Sequence, residues 1–316
     1  MPISGSGGIG HASGCPVLTG ATAYVGSDSC KSEYTNYFYT GDYGTHTLLF
    51  ADAVDYVGGL GGGSISLEAM TYTGILVVDE DEVEVFGQGW DTFINGSTEG
   101  HAITVSGDRC VIRDLQCGTT AGGGNNYDGI SITGTHNKIE NVFINGADRH
   151  GIGTSAAAVN SKIFNCRIYD PDGVGIDGNA PQIIVNHNEI KQTGSSGIIC
   201  WDTADESIVC NNIIDTTGAD SIFIHGDALN CVVEGNFLTD WTGEAIDSNT
   251  LTTAIGNDNW AGAGTAQTIA GPGWTDPVVT AGGVWAGRMI QVFNTGAAEY
   301  RSYVYLNGGW HYAALT

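Results

Sequence analysis

The apolar residues of this chain fall into short runs with a long repeat. Ile130, Ile152, Ile176, Ile198, Ile222 and Ile246 each follow a glycine or an equivalent small residue, at steps of 22, 24, 22, 24 and 24. Asparagines recur alongside at Asn141, Asn165, Asn188, Asn212 and Asn236, at steps of 24, 23, 24 and 24. Each repeat holds two or three strand-like runs, such as SIFIHG, CVVEGNFL and SIVCNNII, separated by Gly, Asp, Asn and Thr turns. Helical periodicity is absent from this region. A period of 22–24 residues accommodates three short strands and three turns, and fixed periods of this size signal a solenoid. The predicted fold class is all-β: a right-handed parallel β-helix whose equivalent residues stack one strand spacing apart, ~4.8 Å. In it, the asparagines form an internal ladder and the Ile, Val, Phe and Leu positions fill the core.

The pattern changes at both ends. Residues 1–44 are polar and Gly/Ser-rich and are assigned to docking or oligomerisation. Leu48, Leu49, Ala53, Val54 and Val57 suit a short amphipathic helix that caps the apolar end of the stack. The β-helix is assigned to 45–256, with residues 101–117 as one coil. The Gly-rich stretch 118–127 projects from it as a candidate binding loop. Residues 257–283 are a Gly/Ala/Thr/Pro-rich linker. Residues 284–316 alternate as a small antiparallel meander, too small to be stable alone.

Composition narrows the function. Lys and Arg number 10 against 35 Asp and Glu, a formal charge of −25. Such a surface repels nucleic acid phosphates and anionic membranes, so neither is an expected partner. No apolar run reaches 18 residues, and the N-terminus lacks the basic and apolar regions of a secretory signal. The 49 glycines occur with only 6 prolines, which fits many tight turns rather than a low-complexity chain. The eight cysteines show no zinc spacing. Cys166, Cys200, Cys210 and Cys231 lie in strand patterns and are predicted to be buried thiols. Cys15 and Cys30 lie in the polar N-terminal segment, where a disulfide within or between chains is open.

The entrance to the coils carries a specific resemblance. Ala53, Val54, Val57, Gly62, Gly63, Ile65, Leu67, Tyr72, Val83, Val85, Gly87, Gly89 and Thr92 match the opening of pectate-lyase-superfamily β-helix proteins, in which a helix is followed by a Gly-Gly strand and a GxG…T coil. The resemblance spans roughly residues 45–250 and implies fold more than activity, because that superfamily holds lyases, hydrolases, epimerases and non-enzymatic phage proteins. The C-terminal RSYVYLNGGW resembles small terminal modules of phage tail fibres.

Two catalytic patterns are partly matched. Polygalacturonase-like glycosidases carry Asn-Thr-Asp, Asp-Asp and Gly-His-Gly on successive coils. Here Tyr127-Asp128-Gly129, Asp148-Arg149 and Gly173-Val174-Gly175 stand in those places. Asp128 and Asp148 still supply the two carboxyls that an inverting hydrolase needs, with His150 nearby. One acid has become Arg149, however, and the histidine has become Val174. Tyr169-Asp170-Pro171-Asp172 is similar to the Asp-Pro-His of alginate epimerases, with aspartate for histidine. These departures weigh against an enzyme. The competing reading makes the position before Gly-Ile (Asp128, His150, Val174, Ser196, Asp220, Glu244) a mixed, solvent-facing corner. No metal is assigned, although Asp170, Asp172 and Asp177 have enough oxygen-ligand character to leave Ca²⁺ open.

Two functions follow as expectations. The first is a virion appendage, a tail spike, fibre or capsid-mounted spike that attaches to host surface polysaccharide. It would be a homotrimer joined to other virion proteins by its N-terminal segment, and extracellular without a signal peptide. Its glycan-contact candidates are Tyr127, Trp201, Tyr303, Tyr305, Trp310 and Tyr312. The second is an enzyme that cleaves or epimerises acidic polysaccharide through Asp128, Asp148, His150, Asp172 and Asp177.

Overall fold

The computed structural model describes residues 22–27, 36–96, 100–119, 126–249, 253–255 and 259, together with backbone strands at 260–261, 269–270, 289–294, 299–306 and 309–315. Cys15, Cys30, the loop tip 120–125 and the side chains of Tyr303, Tyr305, Trp310 and Tyr312 lie outside the described residues.

Each coil contributes one short strand to a nine-stranded parallel sheet that runs from Leu76–Val78 to Ile269–Ala270. Two further strands per coil, separated by a single bend or continuous through it as in Val111–Thr119 and Lys138–Ala147, build an eighteen-stranded sheet. Lys162–Phe164 and Arg167–Pro171 are one such pair. The result is a parallel β-helix with its core along the axis. The register is strict. Leu76, Ile103, Ile130, Ile152, Ile176, Ile198, Ile222, Ile246 and Ile269 are successive partners in one column. Val85, Ile112, Ile139, Ile163, Val185, Val209, Val233 and Ile255 form a second. Each fully buried Ile in such a stack contributes roughly 1.5–3 kcal/mol of transfer free energy.

The asparagine series divides between two columns. Asn188, Asn212, Asn236 and Asn259 form the internal ladder. The Asn212 side chain donates to Val185 O and Asn236 Oδ1, each at 3.0 Å. Its own Oδ1 accepts from Asn188 N at 2.9 Å and Asn188 Nδ2 at 3.0 Å. Every polar atom of the buried amide is thus satisfied. Asn141 and Asn165 stand one position earlier, exposed, at φ of 52° and 51°. That column continues through His187, Asn211 and Gly235, all at positive φ. Asn tolerates this left-handed bend better than most residues, so the same residue type serves two neighbouring positions for different reasons. The 23-residue step in the series is where it crosses from the bend to the ladder. In the Asn165 coil, Cys166 takes the ladder position, and its backbone N–H donates to Asn188 Oδ1 at 2.9 Å.

The helix spans His46–Gly58, with the Thr45 side chain accepting from Leu48 N at 3.3 Å as an N-cap. It buries Leu49, Phe50, Ala53, Val54 and Val57. Leu48 is 58% exposed, contrary to expectation, because the buried stripe runs through positions 49, 50, 53, 54 and 57 and includes Phe50. The stacking also exceeds the expected limits of 45 and 256. Ala23–Gly26 pairs in parallel with Gly63–Leu67, and Trp260 and Ile269 pair with Phe237 and Ile246. Met289–Asn294 and Gly309–Leu315 each pair antiparallel with Glu299–Leu306. Cys110, Cys117, Cys166, Cys200, Cys210 and Cys231 are buried thiols outside any disulfide.

The ladder predicts an asymmetry. Asn212→Ala strands the donors of Asn188 and should cost about 3 kcal/mol, whereas Asn141→Ala at the exposed bend should cost well under that. Urea or thermal unfolding of the two variants checks it; equal losses would contradict the ladder assignment.

Candidate functional site

The strands of the nine-stranded sheet alternate, so one residue of each points outward. In successive coils these are Gly153, Asp177, Ile199, Phe223 and Asp247, adjacent in register. Three residues earlier in each coil stands the position before Gly-Ile: His150, Val174, Ser196, Asp220 and Glu244. Together the two columns line one face of the solenoid.

The position before Gly-Ile is not the solvent-facing corner that its mixed composition implied. Asp128 has no exposed surface, and Val174 and Ser196 are 4% and 3% exposed. Asp128 is held by Arg149 from the next coil, with Nε to Oδ1 at 2.7 Å and Nη2 to Oδ2 at 2.6 Å. His150 N donates to the same Oδ1 at 3.2 Å, and His101 Nδ1 lies 3.4 Å from Oδ2. Gly153 makes the room: a Cβ there would meet Asp128 Oδ2 at 2.7 Å. A two-toothed guanidinium–carboxylate pair of this kind fixes geometry as well as charge. The hydrogen bond to Asp128 raises the Arg149 pKa further.

His150 and Asp177 meet beside this pair. His150 Nδ1 accepts from Val174 N at 3.1 Å, which leaves the proton on Nε2, 3.6 Å from Asp177 Oδ2. Burial lowers the His150 pKa despite the nearby carboxylates, so the imidazole is neutral. Burial raises that of Asp177, opposed by His150 and by the Trp201 indole N–H, which donates to Oδ1. Of the five residues proposed for catalysis, the fold therefore gathers Asp128, His150 and Asp177. Asp148 is 8% exposed, with its backbone N–H on Thr119 Oγ1 at 3.0 Å. Asp172 is exposed at a turn, with no described contact to the cluster. Asp170, Asp172 and Asp177 do not converge as a cation site. Tyr127 meets His101 edge-on at 5.8 Å.

The face continues beyond Asp177. Trp201 lies 6.1 Å from Phe223 and 5.8 Å from His225, ring to ring. Asp202, His225 and Asp227 bring one ligand atom each within 4.8 Å of one another. A second acidic group follows. Glu244 N donates to Asp220 Oδ1 at 2.7 Å, and Asp247 lies one coil from Phe223 in register. Burial, Asp220 and Asp247 push the Glu244 carboxyl up to about 6, and burial and Asp220 also raise Asp247. Sequence reasoning missed this group by treating its column as solvated. The signal was the 24-residue offset that sets 220 beside 244 and 223 beside 247.

Another cleft, of about 360 Å³, lies on the eighteen-stranded sheet between Trp90, Asn165, Arg167 and His187. Arg167 is tied to Glu189 at 2.6 Å and stacks over Trp90 at 5.1 Å.

Comparison with known proteins matches this architecture. A family model described as a right-handed β-helix region covers residues 74–259. The chain belongs to that family. The enzymatically active domain of tailspike protein 2 from bacteriophage CBA120 superposes with a TM-score of 0.50 at 12% identity, over 70% of this chain and 40% of that one. The A-module of mannuronan C-5 epimerase AlgE4 from Azotobacter vinelandii gives 0.48 at 14% identity, over 72% and 88%. The Dettilon tailspike protein gives 0.41 at 11%, over 81% and 72%. At these identities the likeness is one of fold. No curated protein matches the sequence.

Three variants test the electrostatics. Arg149→Ala leaves Asp128 buried and unpaired and should cost about 3–5 kcal/mol. Adding Asp128→Asn should recover much of that loss in the melting temperature. Glu244 keeps its proton in the folded chain where the unfolded chain has released it. Its contribution to stability is therefore full below pH 4.5 and is lost as the pH rises through about 6. Glu244→Gln should melt progressively higher than the parent as pH rises through this window; a constant difference would contradict the assignment.

Proposed function

We propose that this chain is a virion appendage protein, of the tail spike, fibre or capsid-mounted type, that recognises a host surface glycan along the nine-stranded face. The observation that carries the reading is the aromatic strip of Trp201, Phe223 and His225, flanked by hydrogen-bonding carboxylates on a rigid parallel stack. Ring faces with polar neighbours suit sugars, whose flat faces are apolar and whose edges are hydroxyl-rich. The fold likeness to the tailspike of bacteriophage CBA120 agrees with it. Among the described residues no helix is long and apolar enough to cross a membrane. In this reading the chain assembles as a homotrimer, residues 1–44 dock on other virion proteins, and the C-terminal strands complete the assembly. Binding through hydroxyls and ring faces requires no cofactor.

A second reading, an enzyme that modifies polysaccharide, is favoured by one observation: neutral His150 stands beside Asp177, whose carboxyl is raised. Such a pair can exchange a proton. Against it, Asp128 is occupied by Arg149 and is not free to act as acid or base.

A glycan array followed by titration of the best ligand separates the readings. Recognition predicts binding without turnover, weakened roughly tenfold or more by Phe223→Ala. Release of reducing ends or unsaturated sugars, abolished by Asp177→Asn with folding intact, would establish the enzyme instead. Silence across the array and no product would contradict both.

A further inference from the structure

The left-handed bend at Asp114, Asn141, Asn165, His187 and Asn211 divides the eighteen-stranded sheet into two walls. The wall before the bend carries the outward column Val111, Lys138, Lys162, Ile184, Ile208 and Val232. The wall after it carries Gln116, Phe143, Arg167, Glu189, Ile213 and Phe237. Eight large apolar side chains are exposed among the described residues, and four of them, Trp90, Tyr169, Ile213 and Phe237, stand on or over this second wall. Trp90 reaches it by packing on Phe143 and Arg167, each at 5.1 Å. On the first wall, Ile184, Ile208 and Val232 are half-buried in the same coils as Glu189, Ile213 and Phe237. Apolar side chains gathered on one exposed sheet mark an interaction surface.

We infer that copies of this chain meet here, the wall before the bend of one copy lying on the wall after the bend of the next, so that three parallel solenoids close a ring. The inference rests on the homotrimer part of the proposed function and names its surface. Charge selects a second copy and sets which wall meets which. The chain carries −25 overall, so two copies repel across most of their surface. From Val111 to Trp241, however, the strands of the first wall hold Arg113, Lys138 and Lys162 against Glu140 and Glu234. Those of the second hold Arg167 and Lys191 against Asp170, Glu189, Asp215 and Asp240. The two walls are therefore nearly balanced and opposite in sign, which favours unlike walls in contact. Lys162 is exposed and makes no ion pair among the described residues. A contact between unlike surfaces either closes into a ring or runs on as a filament. A ring about an axis parallel to the solenoid keeps equivalent coils level. Lys162 then faces the coil of Tyr169 and Asp170, and Ile208 faces that of Ile213.

The dimensions require both walls. Six coils from Val111 to Val232 span ~24 Å, and the walls are ~10 and ~16 Å across, which gives roughly 600 Å² of flat area per chain. Neither wall alone supplies more than about half of the ~800 Å² per partner of a standard interface. Assembly of this kind covers the Trp90 cleft and leaves the nine-stranded face outward on every copy. Three parallel glycan faces then hold a surface polysaccharide with an avidity that one chain lacks.

Sedimentation velocity on the full chain at micromolar concentration tests the surface. The parent should have three times the mass of one chain. Ile213→Asp and Tyr169→Asp replace exposed side chains, so each should keep the far-UV circular dichroism of the parent while weakening assembly roughly tenfold or more. Lys162→Glu, on the other wall, should weaken it in the same direction. Leu229→Asp, exposed at a corner off both walls, should remain trimeric. A trimer unmoved by the three wall variants would overturn this surface and leave the homotrimer standing. Weakening by Ile213→Asp and Tyr169→Asp with no effect of Lys162→Glu would overturn the contact of unlike walls. A parent that is monomeric or dimeric would overturn the inference and the homotrimer together, with glycan recognition still decided separately by the array.

Discussion

Everything in this molecule depends on register between coils. Each coil lies one strand spacing from the last, so any position repeats as a column, and a residue is judged by the neighbours above and below it. Isoleucine upon isoleucine fills the axis. Where a polar group must be buried at a turn, the only arrangement without cost is one in which each coil satisfies the next. The Asn188–Asn212–Asn236–Asn259 ladder does this: at Asn212 and Asn236 the side-chain nitrogen donates to the coil before and the coil after, and Oδ1 accepts twice. The bend before it is paid for locally by residues that accept positive φ, including Asn141, Asn165 and Asn211.

The same stacking creates the candidate site. Residues about 22–24 apart in sequence become near neighbours, so a loose scatter of Asp, Glu, His and Trp condenses on one face. Arg149 and Asp128 form a pair between coils, Asp177 meets Trp201, and Asp220 meets Glu244 in the same way. These contacts are rigid because the strands under them are. That rigidity suits holding an extended ligand, since little ordering remains to be done on binding. It also explains how two groups titrate: burial holds the His150 imidazole towards its neutral form against the nearby carboxylates, and burial together with Asp220 and Asp247 raises the Glu244 carboxyl.

Much of the fold was legible from sequence because a solenoid repeats its own evidence. The isoleucine series predicted one core column residue by residue. The asparagine series was less transparent, since one residue type served both the bend and the ladder, and only backbone geometry separates them. Leu48 was misplaced by a single helical step. The site was harder to read. Asp128, His150 and Asp177 stood out as candidates, but the burial of Asp128 by Arg149 depends on Gly153 leaving space, which no local pattern announces. Asp220, Glu244 and Asp247 escaped notice because a mixed column resembles a solvated corner until its neighbours are known.

The central claim is that ligand lies along the nine-stranded face, over Trp201 and Phe223 and against Glu244. A crystal structure of the chain with its best array glycan tests this most directly. The account predicts an oligosaccharide running along that face, with a sugar ring over Phe223 and its hydroxyls on the neighbouring carboxylates. Ligand seated instead in the Trp90 cleft of the eighteen-stranded sheet would contradict it.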